Sequence, residues 1–183
     1  MAVRLLATSE RRAVPWKNGG GVTREIAAWP QGATLDAFDW RISMAEVEAA
    51  GPFSRFDGVD RILTVLSGEL DLRLGDAPVV TLTPGSQPFA FAGDRDCHGA
   101  PRGRGVTDLN VMVRRGVVRA EVRRVAGADP LAVRGEALLV LALEPGMIGG
   151  VGLARYDGLI ADGAETLAPR GSVPLLAIDL YRL

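Results

Sequence analysis

Apolar side chains recur at every second residue through most of this chain and helical periodicity is rare, which restricts the backbone largely to extended strands. In Phe38-Asp39-Trp40-Arg41-Ile42-Ser43-Met44, the residues Trp40, Ile42 and Met44 share one face, while Arg41 and Ser43 share the other. Asp60 to Leu66 is mostly apolar and β-branched, as a buried strand is, and Ser67-Gly68 reads as its end. Leu70 to Leu74 then alternates before Gly75-Asp76. Further strands are expected over Gln87 to Phe91, Val106 to Val113, Val117 to Val125, Ala137 to Leu143, Gly152 to Tyr156 and Pro174 to Tyr181. Short strands separated by Gly and Pro turns specify a mainly β chain, a sandwich or a barrel.

The segments Thr81-Leu-Thr-Pro-Gly-Ser-Gln-Pro88 and Thr166-Leu-Ala-Pro-Arg-Gly-Ser-Val-Pro174 align after one inserted arginine, nearly half the 183-residue chain apart. Two similar β units are one explanation and a chance repeat of a common turn is the other. The division expected is residues 1–126 as a first lobe and 127–183 as a second, shorter one, crossing at Gly127 to Pro130 and intertwined as one unit.

Charge is nearly balanced at −1, which argues against a nucleic-acid partner or an anionic membrane surface. A lone cysteine, Cys97, fits a reducing compartment, and Met1 to Glu10 lacks the apolar core of a signal peptide. The longest apolar run, Ala137 to Leu143, is too short to span a bilayer, so the reading is cytoplasmic. The sole histidine, His98, stands beside Cys97 and reads as a solvated loop residue; with no second imidazole, no metal site and no cofactor is expected.

One stretch, Pro15-Trp-Lys-Asn-Gly-Gly-Gly-Val-Thr-Arg-Glu25, stands apart. Lys17 is the only lysine, every other basic residue except His98 being arginine, and Asn18 and Asn110 are the only asparagines. A compact ammonium next to an amide differs from a guanidinium in charge density, donor count and reach, and suits an oxyanion or carboxylate. A plain hairpin turn is the competing explanation for Asn18 to Gly21, although it leaves Lys17 and Trp16 unexplained. The spacing matches no phosphate-binding glycine loop. Farther on, Arg114, Arg115, Arg119, Arg123 and Arg124 alternate in part with apolar residues and read as a solvated strand face that guards an edge.

Val65-Leu-Ser-Gly-Glu-Leu70, followed by Leu82-Thr-Pro-Gly-Ser86, resembles the strand-turn-strand signature of cupins, double-stranded β-helices. Where a cupin carries metal ligands, Phe53 to Asp60 offers Asp57 and Asp60 but no histidine, so that metal chemistry is not carried over. A closer resemblance is carried by Pro15 to Ile26, Phe38 to Val47, Gly51 to Phe56, Gly58 to Arg61 and Thr107 to Met112. On these segments the chain is similar to the HutD/Ves family of cupin-like proteins. The resemblance implies a bicupin, two β lobes in one compact body, without metal. It also implies a role beside bacterial histidine utilisation, sensing an intermediate such as formylglutamate, urocanate or a formate-like anion; a homodimer is left open.

The ligand-binding residues expected are Lys17, Asn18, Gly19, Gly20, Thr23, Arg24, Glu25, Arg41, Ser43, Asp60, Arg61, Asp108 and Asn110, with no catalytic residue among them. Strand parity places Arg41 and Ser43 in the first lobe's concavity together with Arg61. The alternative is a metal-free isomerase or hydrolase acting on a small organic acid. There Glu25, Asp60 or Asp108 would serve as general base, and Lys17 would stabilise developing charge.

Overall fold

The structure, a computed structural model, describes residues 3–163 and 165–183. Its strands are β1 (Arg4–Leu6), β2 (Ala13–Pro15), β3 (Gly21–Trp29), β4 (Trp40–Val47), β5 (Gly51–Phe53), β6 (Val59–Leu74), β7 (Val80–Leu82), β8 (Phe89–Ala92) and β9 (Cys97–Arg114). They continue as β10 (Val118–Val125), β11 (Leu131–Ala132), β12 (Ala137–Ala142), β13 (Gly146–Ile148), β14 (Val151–Leu153), β15 (Gly158–Asp162), β16 (Thr166–Leu167) and β17 (Leu175–Arg182). One 3-10 turn, Thr8–Glu10, is the only helical element among the described residues, and no helix is long and apolar enough to cross a membrane.

Two compact units emerge, one from Arg12–Arg115 and one from the segment ending at Arg11 together with Gly116–Leu183. The boundary thus falls at 115/116, not at the expected 126/127, because β10 pairs along its whole length with β17. The N-terminal strand β1 pairs with β15 and so joins the C-terminal residues, not the lobe that follows it in sequence.

The Arg12–Arg115 unit is an antiparallel sheet in the order β2-β3-β4-β9-β6-β7, with β5 added to β9 and β8 added to β6. Ser67-Gly68 does not end a strand, contrary to the sequence reading. β6 runs through it, paired with β9 from Val59↔Arg114 to Leu74↔Cys97, with register shifts at Val65/Ser67 and Ser67/Glu69. Gly68 has φ +78° there, and a Cβ would sit 2.9 Å from the Gly105 carbonyl, so glycine is required. The irregularity reverses the phase of the alternation. Leu63 and Val65 point into one core at odd numbers, and Leu70, Leu72 and Leu74 join the same core at even ones. Without an extra residue, a strict period of two would turn one of those sets out to solvent.

His98 also differs from expectation: it lies in β9 between Pro52 and Arg73 and is half-buried, because β9 begins at Cys97 and runs through the turn-like Gly99 to Gly105.

The second unit is built on β12, Ala137–Ala142, which is buried at every position between β15 and β17 in the sheet β1-β15-β12-β17-β10. Strands covered on both faces carry continuous apolar runs rather than alternation, as this one does. Its core joins Leu138, Val140, Leu159, Leu175 and Ala177. Thr81-Leu82 and Thr166-Leu167, the ends of the repeat noted above, each lie in a short paired strand with the leucine buried.

β10 is an edge strand, and two of its arginines are held on their own unit. Arg123 Nε donates to the fully buried Asp179 (3.0 Å), and Arg119 pairs with Glu121 and lies over Tyr181 (4.0 Å to the ring centroid).

The N-terminal segment is fastened by Asp157. Its Oδ1 accepts from Thr8 N (2.6 Å) and its Oδ2 from Ala154 N (2.9 Å), while Arg11 Nη2 donates to the carbonyls of Leu6 (2.9 Å) and Tyr156 (2.6 Å). Asp157→Ala leaves two amide donors without acceptors and is expected to lower stability by about 1–3 kcal/mol. A urea midpoint equal to that of the wild type would remove Asp157 from this role.

Candidate functional site

Three neighbouring strands set the floor of a cavity in the Arg12–Arg115 unit. Their pairing aligns Arg41, Met112 and Arg61 in one row across β4, β9 and β6. The next row is Ser43, Asn110 and Leu63, and the third is Ala45, Asp108 and Val65. β3 extends two of these rows with Glu25 opposite Ser43 and Thr23 opposite Ala45. Side chains two apart on a strand share a face, so this grid turns its polar members into one concavity of about 670 Å³.

The rim carries the Lys17-Asn18 turn, and Trp16, Phe53 and Phe56 form aromatic walls. Trp16 N donates to the Gly21 carbonyl (2.9 Å), and Asn18 Oδ1 accepts from Gly20 N (3.0 Å). Gly19 adopts φ +71°, and a Cβ on Gly21 would lie 2.4 Å from the Glu46 carbonyl. Turn geometry therefore explains Asn18, Gly19 and Gly21. It does not explain Lys17, which is exposed, lines the cavity and makes no hydrogen bond or ion pair among the described residues. Trp16 is oriented by donating to Thr23 Oγ1 (2.7 Å) and by edge contact with Phe53 (centroids 5.8 Å apart).

Arg61 is the central cation, only 4% exposed. Its guanidinium lies 5.0 Å from the Phe91 ring centroid, 5.7 Å from Phe56 and 5.8 Å from Phe53, and donates to Asn110 Oδ1 (3.4 Å) and the Ser54 carbonyl (3.3 Å). Aromatic faces offset part of the desolvation cost of a buried cation. Burial pulls its pKa below the ordinary value, with Asp108 acting in the other direction and Arg41 reinforcing the drop. Arg41, by contrast, donates from Nε to Glu25 Oε2 (2.8 Å) and from Nη1 to Ser43 Oγ (3.3 Å).

Asp108 is 2% exposed, and its Oδ2 has no hydrogen-bond partner. Burial pushes this carboxyl up to about 7, against the pull of Arg61.

Of the thirteen residues expected from sequence, Lys17, Asn18, Thr23, Glu25, Arg41, Ser43, Arg61, Asp108 and Asn110 line the one cavity. Four do not. Gly19 and Gly20 shape the turn; Arg24 falls on the opposite parity of β3 and pairs with Glu46. Asp60, next to Arg61 and so on the other face of β6, accepts from Arg115 Nε (2.9 Å) and Nη2 (2.8 Å). Sequence reasoning missed the walls Trp16, Phe53 and Phe56 and the neighbour Met112. Phe53 and Phe56 had a signal available, since aromatics are only 5% of the chain and two of them flank Ser54-Arg55.

A cupin metal does not fit here. No group of three or more His, Cys, Asp or Glu side chains among the described residues is placed to hold an ion, and two guanidinium groups occupy the floor.

A mainly β unit with a polar cavity opening on its sheet defines a cupin-like protein. The chain belongs to the HutD family, whose model matches residues 8–173. It is similar to an uncharacterised 21.2 kDa protein from the hutC 3′ region of Pseudomonas putida, 34% identical over 172 residues and covering 90% of each chain. Protein Ves of Citrobacter koseri is 44% identical over 110 residues, 59% of this chain and 56% of that one. The structure of HutD from Pseudomonas fluorescens SBW25, determined in a formate condition, superposes with a TM-score of 0.89 at 28% identity, covering all of both chains.

The raised carboxyl makes a stability prediction. An unfolded aspartate titrates near 3.9, so between about pH 4 and pH 7 the native state holds a proton that the unfolded state has lost. Stability then falls as pH rises through that window and levels off above it. Asp108→Asn carries no such charge and should retain on the order of 2–3 kcal/mol that the wild type loses between pH 5 and pH 8. Parallel urea curves whose separation does not change with pH would contradict the buried-acid assignment.

Proposed function

We propose that this protein is a small-molecule-binding regulator linked to bacterial histidine utilisation, and that its cavity holds a small carboxylate such as formylglutamate. One observation carries the reading: Lys17, Arg41 and Arg61 converge with Ser43 and Asn110 on a single cavity with aromatic walls. Charge-assisted donors of this kind suit carboxylate and formyl oxygens, and apolar walls with a few placed polar groups are the usual make-up of a metabolite site. The hutC-region relative supports the pathway, and the cytoplasm is the compartment that goes with it.

A second reading, a metal-free enzyme acting on a small organic acid, is favoured by Asp108 alone, whose carboxyl near 7 is suited to proton transfer at neutral pH. Binding is preferred because Arg41 and Glu25 already satisfy one another and no second proton-transfer group faces Asp108 at hydrogen-bond distance among the described residues.

Thermal-shift measurements with formylglutamate, urocanate, imidazolone propionate, glutamate and formate, with and without divalent metal, test the reading. Formylglutamate should raise the melting temperature without metal, since binding to the native state stabilises it. No shift with any of the five would remove the regulator reading, and turnover of one of them would favour the enzyme.

Lys17→Arg sharpens the test by keeping the charge and changing the geometry. Titration calorimetry should show a loss of about 1.5–3 kcal/mol in affinity for formylglutamate. The urea midpoint should move by no more than about 0.5 kcal/mol equivalent. Equal affinities would return Lys17 to a passive place in the turn.

A further inference from the structure

Asp108 is the one cavity carboxylate left unbalanced. Ala45 and Val65 flank it across the sheet, Asn110 follows it on the same face of β9, and no cation pairs with it among the described residues. The charged groups that line the cavity with it are Arg61 from β6, Arg41 from β4, Glu25 from β3 and Lys17 from the turn, and of these the Arg61 charge acts on Asp108. The Cys97 thiol, which the Asp108 charge reaches, is held neutral by burial, its pKa pushed up to about 11. Three cations therefore meet two carboxylates, leaving one net positive charge when both are ionised and two when Asp108 carries a proton.

We infer that the cavity is built for a dianionic acid and that binding one is coupled to the uptake of a proton by Asp108, whose undissociated carboxyl then donates to the ligand. This rests on the anion-binding reading above and adds the charge class of the ligand and its linkage to pH. The buried, unpartnered Oδ2 is the observation behind it. An ionised carboxylate left without a partner would repel a second incoming carboxylate in a low-dielectric pocket, whereas a neutral one carries no charge and can donate an O–H. The proton comes from solvent and returns on release. An apo carboxyl near 7 places the exchange within reach of neutral pH.

The probes are glutarate, a five-carbon dicarboxylate; valerate, its five-carbon monocarboxylate counterpart; and glutamate, which adds an ammonium donor. Titration calorimetry in buffers of different ionisation enthalpy, from pH 5.5 to 8.5, reads affinity and proton uptake together. Glutarate should bind at least tenfold more tightly than valerate at pH 6. Its affinity should fall about tenfold per pH unit above pH 7, with uptake approaching one proton per site at pH 8. Asp108→Asn, which keeps an N–H donor and cannot ionise, should bind glutarate about tenfold more tightly than the wild type at pH 8, with the pH dependence flattened. Carboxyl carbon resonances of Asp108 in the wild type provide a reading independent of how well the variant folds, and glutarate at pH 8 should move them to the protonated position.

Glutarate bound without proton uptake, uptake unchanged in Asp108→Asn, or valerate bound as tightly as glutarate would each overturn the inference and leave the anion site standing. Glutamate binding more tightly than glutarate without uptake would show Asp108 to be an ionised acceptor and overturn it as well. If none of the three acids nor formylglutamate binds, the anion-binding reading falls and this inference falls with it.

Discussion

The long antiparallel pair of β6 and β9 is the constraint on which the binding unit depends. These strands stay hydrogen-bonded through a change of register, so one continuous ribbon serves two stretches of core whose apolar residues are out of phase in sequence. Leu63 and Val65 belong to the stretch that also carries Arg61, and Leu70, Leu72 and Leu74 to the other. The irregularity at Val65 to Glu69 lets both sets face inward, and it thereby fixes Arg61, Asn110 and Asp108 on the concave side. A substitution that erased the shift would turn hydrophobic and functional residues outward together, because side-chain facing in a strand is set by parity.

Within that frame the cavity is a balance of charges in different degrees of satisfaction. Arg41 and Glu25 neutralise one another across neighbouring strands, and such a pair contributes mostly orientation. Arg61 is enclosed by three phenylalanine rings and two oxygen acceptors, which hold a nearly buried cation at the cavity floor. Lys17 on the rim and Asp108 on the floor have no such settlement. They are the two groups whose chemistry an incoming acid can complete, one as an exposed ammonium at the entrance and the other as a buried carboxyl.

The alternating face of β4 was legible in the sequence because Arg41 and Ser43 interrupt Trp40, Ile42 and Met44 with a period of two, and nothing in tertiary structure overrides that parity. The lone lysine was legible for a different reason: in an arginine-rich chain an ammonium retained once stands out, and the turn accounts for its neighbours without accounting for it. Other features were hidden. Ser67-Gly68 carries the composition of a turn, yet a left-handed glycine serves a bulge as well as a hairpin, and only the pairing partner decides between them. Asp60 and Arg24 were grouped with the site by proximity along the chain, which is the wrong metric in a strand, where the next residue faces the other way. The aromatic enclosure of Arg61 brings together residues from β5, β8 and the connection before β6, and no local pattern announces such a meeting.

The division of the chain also bears on the order of events during synthesis. Arg12–Arg115 is contiguous, so every partner in its sheet has been made once Arg115 is available. The other unit is discontinuous: β1 is made before Arg12–Arg115, yet its partner β15 and the Asp157 carboxylate that fastens Thr8 are made after it. Domains tend to fold as their last residues appear. The binding unit is thus an insertion that can acquire its native form while the first strand waits with its edge unpaired. Changes in β1 or in the residues beside it would then act on assembly of the sheet that holds β15, leaving the residues that line the cavity to fold on their own schedule.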